Sequence, residues 1–228
     1  MGTSSMFRDT TRGYDAVESF LFDRILRKLA APLHAFATAR IEPMVRPGMR
    51  ILDVGCGGGQ LALDLARRFP GVQITGLDLS PQQIARARRR GASLADRVTF
   101  VEGTALDMPF SGGDFDLVYS VGSLKHWPDH ARGLRECARV QKPGNRLFVM
   151  EGDRGCRHED VQSFIASWDL PAPLRPLAVA FYRTTVVGQS LDLEDARALL
   201  ATLPALEGSV ERTPGLPAWF LDARTTHP

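Results

Sequence analysis

The sequence predicts an α/β fold, a mostly parallel sheet wound on both faces by helices, and three observations predict it. Arg50-Ile51-Leu52-Asp53-Val54 is a short apolar run, followed by the turn Gly55-Cys56-Gly57-Gly58-Gly59 and then by Leu61, Leu65 and Ala66 at helical spacing. That is a buried strand, a tight turn and a helix in succession. From Val72 to Glu151 short apolar runs alternate with helical patterns, and strands joined through helices run parallel by right-handed crossovers. Such a sheet places a ligand beyond the carboxyl ends of its strands.

The elements follow in order. Val17, Leu21, Ile25, Leu29, Leu33 and Phe36 recur every three or four residues, which predicts an amphipathic helical cap within 1–47, bent or divided at Pro32. The segment around Tyr14 is placed to fold over a ligand. Pro43, Pro47 and Gly48 end this pattern. Strand 1 is expected near 50–54 and its helix near 58–69. Strand 2 covers 72–78, and Ser80-Pro81 opens the next helix as an N-cap followed by proline at the first helical position. Strand 3 is 98–102, strand 4 is 115–121, and a helix spans 129–141. Lys142-Pro143-Gly144 then turns the chain into strand 5, 146–151. Residues 155–190 read as a helical insertion, with helices near 158–168 and 174–187 separated by Pro171 and Pro173. Asp192 caps a further helix carrying Leu193, Ala196, Leu199, Leu200 and Leu203. Residues 206–212 and 217–224 form the last two strands, joined through Pro214-Gly215.

Composition narrows the function. The 228 residues are 44% hydrophobic and carry a formal charge of +2, enough for one sizeable core and nearly neutral, so charge gives no reason to expect nucleic acid. Arg86, Arg88, Arg89 and Arg90 are expected to be solvated cations favouring a helix C-terminus. Cys56, Cys137 and Cys156 are odd in number and widely spaced, indicating neither disulfides nor zinc, and fit a reducing cytoplasm. The first residues lack a signal peptide's apolar core, and no run approaches the ~20 apolar residues of a membrane span.

The glycine turn decides the ligand. A dinucleotide fingerprint needs glycine at both ends of G-x-G-x-x-G, and here the last position is Gln60. Asp53 would oppose a phosphate, yet it could meet an ammonium directly or through water. Asp53, Gly55, Gly57 and Gly59 thus form a D-x-G-x-G-x-G pattern that resembles motif I of the class I S-adenosylmethionine-dependent methyltransferases. The resemblance implies a Rossmann-like seven-stranded sheet with a C-terminal antiparallel hairpin, and a methyltransferase domain over 48–228.

Three further segments, in the right order, carry the same resemblance. Asp78 ends strand 2 about twenty residues beyond the glycine turn, where a carboxylate accepts hydrogen bonds from ribose hydroxyls, and Leu79 would pack on the adenine. Glu102-Gly103-Thr104-Ala105-Leu106-Asp107-Met108-Pro109-Phe110 is similar to the adenine-binding stretch, with Thr104 at the acidic position, Ala105 and Leu106 beside the ring, and Asp107 fixing the loop. Tyr119-Ser120-Val121-Gly122-Ser123-Leu124-Lys125-His126-Trp127 looks like the menaquinone-biosynthesis-type, small-molecule branch (methyltransferase type 11), with Ser120 and Val121 beside the cofactor. Arg139-Val140-Gln141-Lys142-Pro143-Gly144-Asn145 resembles the family's R-V-L-K-P-G-G and is structural. The cofactor positions implied are therefore Asp53, Gly55, Cys56, Gly57, Gly59, Asp78, Leu79, Thr104, Ala105, Leu106, Ser120 and Val121.

The resemblance implies S-adenosyl-L-methionine as methyl donor, S-adenosyl-L-homocysteine as product and no metal. His126 is the candidate general base, with an ordinary pKa near neutrality. Tyr14, Lys125, His126, Tyr182 and Arg183 are candidate acceptor contacts. The apolar and aromatic content of 155–190 favours a small hydrophobic or aromatic metabolite, methylated on O, N or C. Nucleic acid is not expected as a partner, and the chain is expected to be a monomer or homodimer. Three alternatives stand beside this reading: a fold relative that binds the cofactor but performs other chemistry such as cyclisation, an RNA or protein methyltransferase, and a non-catalytic interaction module using only the fold.

Overall fold

The computed structural model describes residues 31–168 and 170–226. Seven strands form one sheet in the order β3-β2-β1-β4-β5-β7-β6: β1 Arg50–Val54, β2 Gln73–Asp78, β3 Val98–Glu102, β4 Phe115–Val121, β5 Gln141–Gly152, β6 Leu206–Arg212 and β7 Ala218–Thr225. β1 to β5 are mutually parallel, while β7 runs antiparallel to both β5 and β6. The Rossmann-like sheet with its terminal hairpin is therefore as expected. The strand order reverses between β1 and β4, and the loops at that switch point gather at the carboxyl ends of β1, β2 and β4.

Helices cover both faces. α1 Ala31–Ile41, α2 Gln60–Arg68 and α3 Pro81–Arg90 lie on one, and α4 His130–Val140 and α7 Leu193–Ala201 on the other. The first core joins Ile51, Ile74, Phe100, Leu117, Tyr119, Phe148 and Phe220 to Leu61 and Leu65 of α2. The second joins Leu52, Val54, Val118, Leu147, Val149 and Leu221 to Leu134, Cys137 and Val140 of α4. Alternation along each strand divides the side chains between these cores, and each buried aliphatic side chain contributes about 1.5–3 kcal/mol. Ser80 caps α3 by accepting from the Gln83 N–H, and Asp192 caps α7 in a reciprocal box with Asp195.

Some boundaries differ from expectation. β5 begins at Gln141, which pairs with Phe115, and the register shifts before Leu117 meets Arg146. Lys142-Pro143-Gly144 therefore bulges out of a strand that has already started, with Gly144 at φ +76°, because proline lacks the N–H a regular ladder needs. The second insertion helix runs without a gap but changes type: a 3-10 turn at Ala172–Leu174 leads into α6 Arg175–Phe181, which continues as a π-helical turn, Tyr182–Val186. α5 is His158–Ala166. α5 and α6 enclose a third core of Cys156, Val161, Phe164, Ile165, Trp168, Val179, Tyr182 and Val187, which meets the first core through Leu33 and Leu216. Of the N-terminal cap, α1 and a 3-10 turn at Glu42–Met44 are described; Tyr14 and the Val17–Leu29 stripe lie outside the described residues. Among those residues no helix is long and apolar enough to cross a membrane.

Candidate active site

The glycine turn is held from below and open above. Gly55 and Cys56 both donate their N–H to the Leu77 carbonyl, at 2.7 and 2.9 Å, which ties the turn to the end of β2. Gly55, Gly57 and Gly59 all take positive φ, at +74°, +51° and +76°, a region that glycine enters without steric cost. A methyl group on Gly55 would lie 1.8 Å from Ser123 Oγ, and one on Gly59 would lie 2.6 Å from the Phe100 ring. On Gly57 it would meet nothing within 4 Å. Gly55 and Gly59 are thus glycine for packing, whereas Gly57 leaves bare backbone facing open space.

Two side chains set the shape of this turn. Asp78 accepts from the Gly57 N–H at 2.8 Å and from the Ser80 N–H at 2.9 Å. Burial raises its pKa while both N–H groups hold it down. Arg90 reaches back from the end of α3 to donate to the Gly58 carbonyl at 3.1 Å, and Arg88 donates to the Phe100 carbonyl at 2.8 Å. The arginine run is therefore not simply solvated: two of its members bind backbone carbonyls, one of them in the glycine turn. Leu79, beside Asp78, is 49% exposed, an unusual setting for leucine directly after a buried strand.

Asp53 lies beneath the turn, only 3% exposed. Burial pushes its carboxyl up to about 7, the neighbouring Tyr119 hydroxyl draws it down and the Asp78 charge adds to the rise. Tyr119 is fully buried and its hydroxyl meets no partner at full hydrogen-bond geometry, so it tempers the desolvation of Asp53 without cancelling it. Cys56 is buried beside this pair, and its thiol is pushed well up by burial and by the two carboxylates.

The remaining loops complete the rim. Thr104 Oγ1 accepts from the Leu106 N–H at 3.2 Å, and the Thr104 carbonyl accepts from the Asp107 N–H at 3.4 Å. The hydroxyl at the family's acidic position thus folds its own loop and engages the Leu106 N–H. Arg139 clamps this loop by donating to the Met108 and Phe110 carbonyls. Ser120, on β4, is fully buried with an Oγ that has no hydrogen-bond partner among the described residues. Val121 is partly buried against the first core.

After β4 the chain makes a 3-10 turn, Leu124–His126, that bridges three parts of the molecule. Ser123 abuts Gly55 and accepts from Trp127 Nε1 at 3.0 Å. The Lys125 N–H donates to Glu151 at 3.1 Å, and Lys125 Nζ donates to the Val186 carbonyl at 2.8 Å. His126 closes this turn, half-buried, with its N–H donating to the Ser123 carbonyl at 3.0 Å. The ammonium of Lys125 fastens the insertion to the turn, and Tyr182 is buried among Phe164 and Trp168, ring centroids 5.2 and 6.2 Å away. Arg183 is exposed. The insertion is thus tied to the Leu124–His126 turn through Lys125, while Tyr182 belongs to the aromatic core.

Glu151 and His130 were not singled out by sequence reasoning, and Arg90 was read only as a solvated cation. Glu151 ends β5, is 3% exposed, and accepts from the Lys125 and Gly152 N–H groups. Its charge bears on His130, the first residue of α4, whose pKa burial lowers and whose neighbours Glu151 and Asp129 raise it. Only its position at a strand's carboxyl end could have flagged Glu151. Nothing in the sequence points Arg90 at a carbonyl 32 residues away.

Comparison with known proteins agrees with this geometry. Residues 51–144 match the family described as "Methyltransferase domain". Over 116 residues the chain is 40% identical to the 27-O-demethylrifamycin SV methyltransferase of Amycolatopsis mediterranei, covering 49% of this chain and 42% of that one. Over 102 residues it is 41% identical to the demethylmenaquinone methyltransferase of Thermus thermophilus, covering 45% and 46%. The chain thus spans about half the length of the curated relatives it matches. Among solved structures, a SAM-dependent methyltransferase from Aquifex aeolicus superposes with a TM-score of 0.70 at 15% identity, over 94% of this chain and all of that one, which shows the shared fold.

Proposed function

We propose that this chain, whose residues 51–144 match the methyltransferase-domain family, is an S-adenosylmethionine-dependent methyltransferase that transfers a methyl group to an O, N or C atom of a small, largely apolar metabolite. The observation that carries the proposal is the Asp78 carboxylate, fixed by the Gly57 and Ser80 N–H groups, beside a glycine with open space at its Cβ position and an exposed leucine. A carboxylate so held keeps lone pairs for a ribose diol. Bare backbone at Gly57 lets a ligand approach closely, and Leu79 offers an apolar surface to a flat base. The partnerless Ser120 Oγ is a buried polar group that a ligand would satisfy. These features fit S-adenosylmethionine, with Asp53, Gly55, Cys56, Gly57 and Gly59 at its amino-acid end, Asp78 at the ribose, and Leu79, Thr104, Ala105 and Leu106 around the adenine.

S-adenosylmethionine supplies a methyl group already activated on a sulfonium. The chain's own contribution is then orientation and exclusion of water. The turn at Leu124–His126, braced on Glu151, on Val186 and against Gly55, holds the acceptor side in register with the donor side. His126 is the group in that turn able to take a proton from an acceptor that must lose one. The insertion over 155–190 borders the acceptor, with Lys125 and Arg183 as its contacts; Tyr182 is taken up by the aromatic core, and Tyr14 lies outside the described residues. Similar chains bear the names of a demethylrifamycin and a demethylmenaquinone methyltransferase, which supports a small-molecule acceptor.

The test is a screen of aromatic and polyketide-like acceptors, and bulk RNA, read by release of S-adenosylhomocysteine. Turnover on a small apolar acceptor is expected. Binding of S-adenosylmethionine without any S-adenosylhomocysteine release would favour non-transfer chemistry such as cyclisation, and turnover on RNA alone would overturn the small-molecule reading. With an acceptor in hand, His126→Ala is expected to lower kcat by about 10²–10⁴-fold, and an unchanged kcat removes His126 as base.

A further inference from the structure

The insertion is tied to the sheet at both of its ends. At its start, Asp153 accepts from the Gly155 N–H at 2.7 Å and Arg212 Nη1 donates to the Gly155 carbonyl at 3.3 Å. At its exit stand Val186, the last residue of the π-helical turn, and the buried Val187. A methyl group on Gly152, the last residue of β5, would lie 2.6 Å from Val187 Cγ1, so the exit rests directly on bare backbone at the end of that strand. Between the two ends the insertion packs on the third core, with Phe164, Trp168 and Tyr182 in it.

Lys125 reaches the exit from outside that core. Its N–H donates to Glu151 Oε2 at 3.1 Å, and the other Glu151 oxygen accepts from the Gly152 N–H at 2.9 Å. Glu151 is buried, so the lysine backbone starts from a fixed point at the end of β5. From there Nζ donates to the Val186 carbonyl at 2.8 Å, across 61 residues of chain. The last carbonyls of a helical run have no partner within it, and a cation is favoured beside them. Among the described residues Val186 is the only hydrogen-bond partner of this ammonium. What the bond fixes is the place of the exit relative to the turn that carries His126.

We infer that Lys125 is a positioning residue: acting through the Val186 carbonyl, its ammonium holds the exit of the insertion against the end of β5 and so sets where the insertion stands beside the acceptor. The inference rests on the methyl-transfer reading for its effect on turnover. It deepens the place given there to Lys125, since an ammonium that donates once to Val186 keeps its other hydrogens for an acceptor.

The test is hydrogen exchange of the full chain, without donor or acceptor, in Lys125→Met, Lys125→Arg and Gly152→Ala. Lys125→Met keeps the stem and removes the donor, so exchange over 182–190 is expected to rise by about tenfold or more while 53–59 and 158–168 keep the wild-type rate. Lys125→Arg retains a donor and is expected to restore most of the protection. Gly152→Ala pushes on Val187 without touching the ammonium, and exchange is expected to rise over the same stretch. Because both changes act on one contact, the double variant Lys125→Met/Gly152→Ala should exceed the larger single effect by no more than about twofold. With an acceptor that the wild-type chain turns over, both Lys125→Met and Gly152→Ala should raise its KM, the first by about tenfold or more. Unchanged exchange in Lys125→Met overturns the inference, as does a rise across the whole insertion, which would make the bond one of stability. Fully additive effects in the double variant, or a KM raised by Lys125→Met alone, would make the lysine a direct contact only and overturn it too. Absence of S-adenosylhomocysteine release by the wild-type chain on every acceptor counts against the methyl-transfer reading instead, and the exchange pattern then decides the positioning role by itself.

Discussion

The two halves of the candidate site are built on different principles. On the donor side, short loops leave the ends of β1, β2, β3 and β4 and are pinned by backbone hydrogen bonds: Gly55 and Cys56 to Leu77, Gly57 to Asp78, Leu106 to Thr104. On the acceptor side, the insertion has its own small aromatic core, and among the described residues its links to the rest include Lys125 to Val186, Arg212 to the Gly155 carbonyl, and the contacts of Leu33 and Leu216. The donor half is therefore intolerant of small changes. The acceptor half can be altered on its own, which is how one fold accommodates many substrates.

The contrast is sharpest for Gly55→Ala. It puts a methyl group at positive φ and 1.8 Å from Ser123 Oγ, and both faults act on the turn itself. We expect S-adenosylhomocysteine binding to be lost by calorimetry, or weakened by more than about a hundredfold, corresponding to about 2.7 kcal/mol or more. Ordinary affinity would mean that the turn does not carry the donor.

Trp168→Ala strikes the other half. Trp168 packs edge-on against Phe164, ring centroids 5.6 Å apart, and is largely buried. Its truncation is expected to cost about 3–5 kcal/mol of local stability. Hydrogen exchange should rise across 158–187, while S-adenosylhomocysteine affinity stays within about threefold, below the ~1.4 kcal/mol of a tenfold change. Equal loss of binding would show that the halves are one cooperative unit.

How much of this was legible follows the same division. Gly55, Gly57 and Gly59 were readable because a tight strand-to-helix turn takes positive φ there, while Asp53 and Asp78 were singled out by their place beside that turn and by the resemblance to motif I and the segment after it. The hairpin and the Asp192 cap were readable for the same local reason. Arg90, Glu151 and His130 were not, because their roles come from contacts across the fold: Arg90 to Gly58, Glu151 to Lys125. The change of type in the second insertion helix escaped periodicity, since apolar spacing scarcely separates an α-helical turn from the π-helical turn at Tyr182–Val186. The early start of β5 escaped because a proline and a positive-φ glycine look like a loop.

A smaller effect concerns Asp53. Its carboxyl is raised to about 7 by burial, against about 3.9 in an unfolded chain. Between those values the folded state holds a proton the unfolded state has lost, so this group's contribution to stability falls as pH rises from about 4 to 7 and stays low above. Asp53→Asn removes the dependence. Chemical denaturation across that range should show wild type losing on the order of a few kcal/mol relative to the variant; parallel curves would mean Asp53 is charged in the fold throughout. The ammonium of a bound amino-acid end favours the ionised carboxylate, so donor affinity should rise over the same window.

The most direct measurement is calorimetric titration of S-adenosylmethionine into the wild-type chain and into Asp78→Ala. Two charge-assisted hydrogen bonds to a ribose contribute about 1.5–3 kcal/mol each. Asp78 also orients Gly57 and Ser80, so the melting of the variant is followed to verify that it still unfolds cooperatively. One site in the wild-type chain is expected, with affinity reduced at least about a hundredfold in Asp78→Ala. Absence of binding to the wild-type chain, or equal affinity in a folded Asp78→Ala, would contradict the assignment of this cleft to the methyl donor.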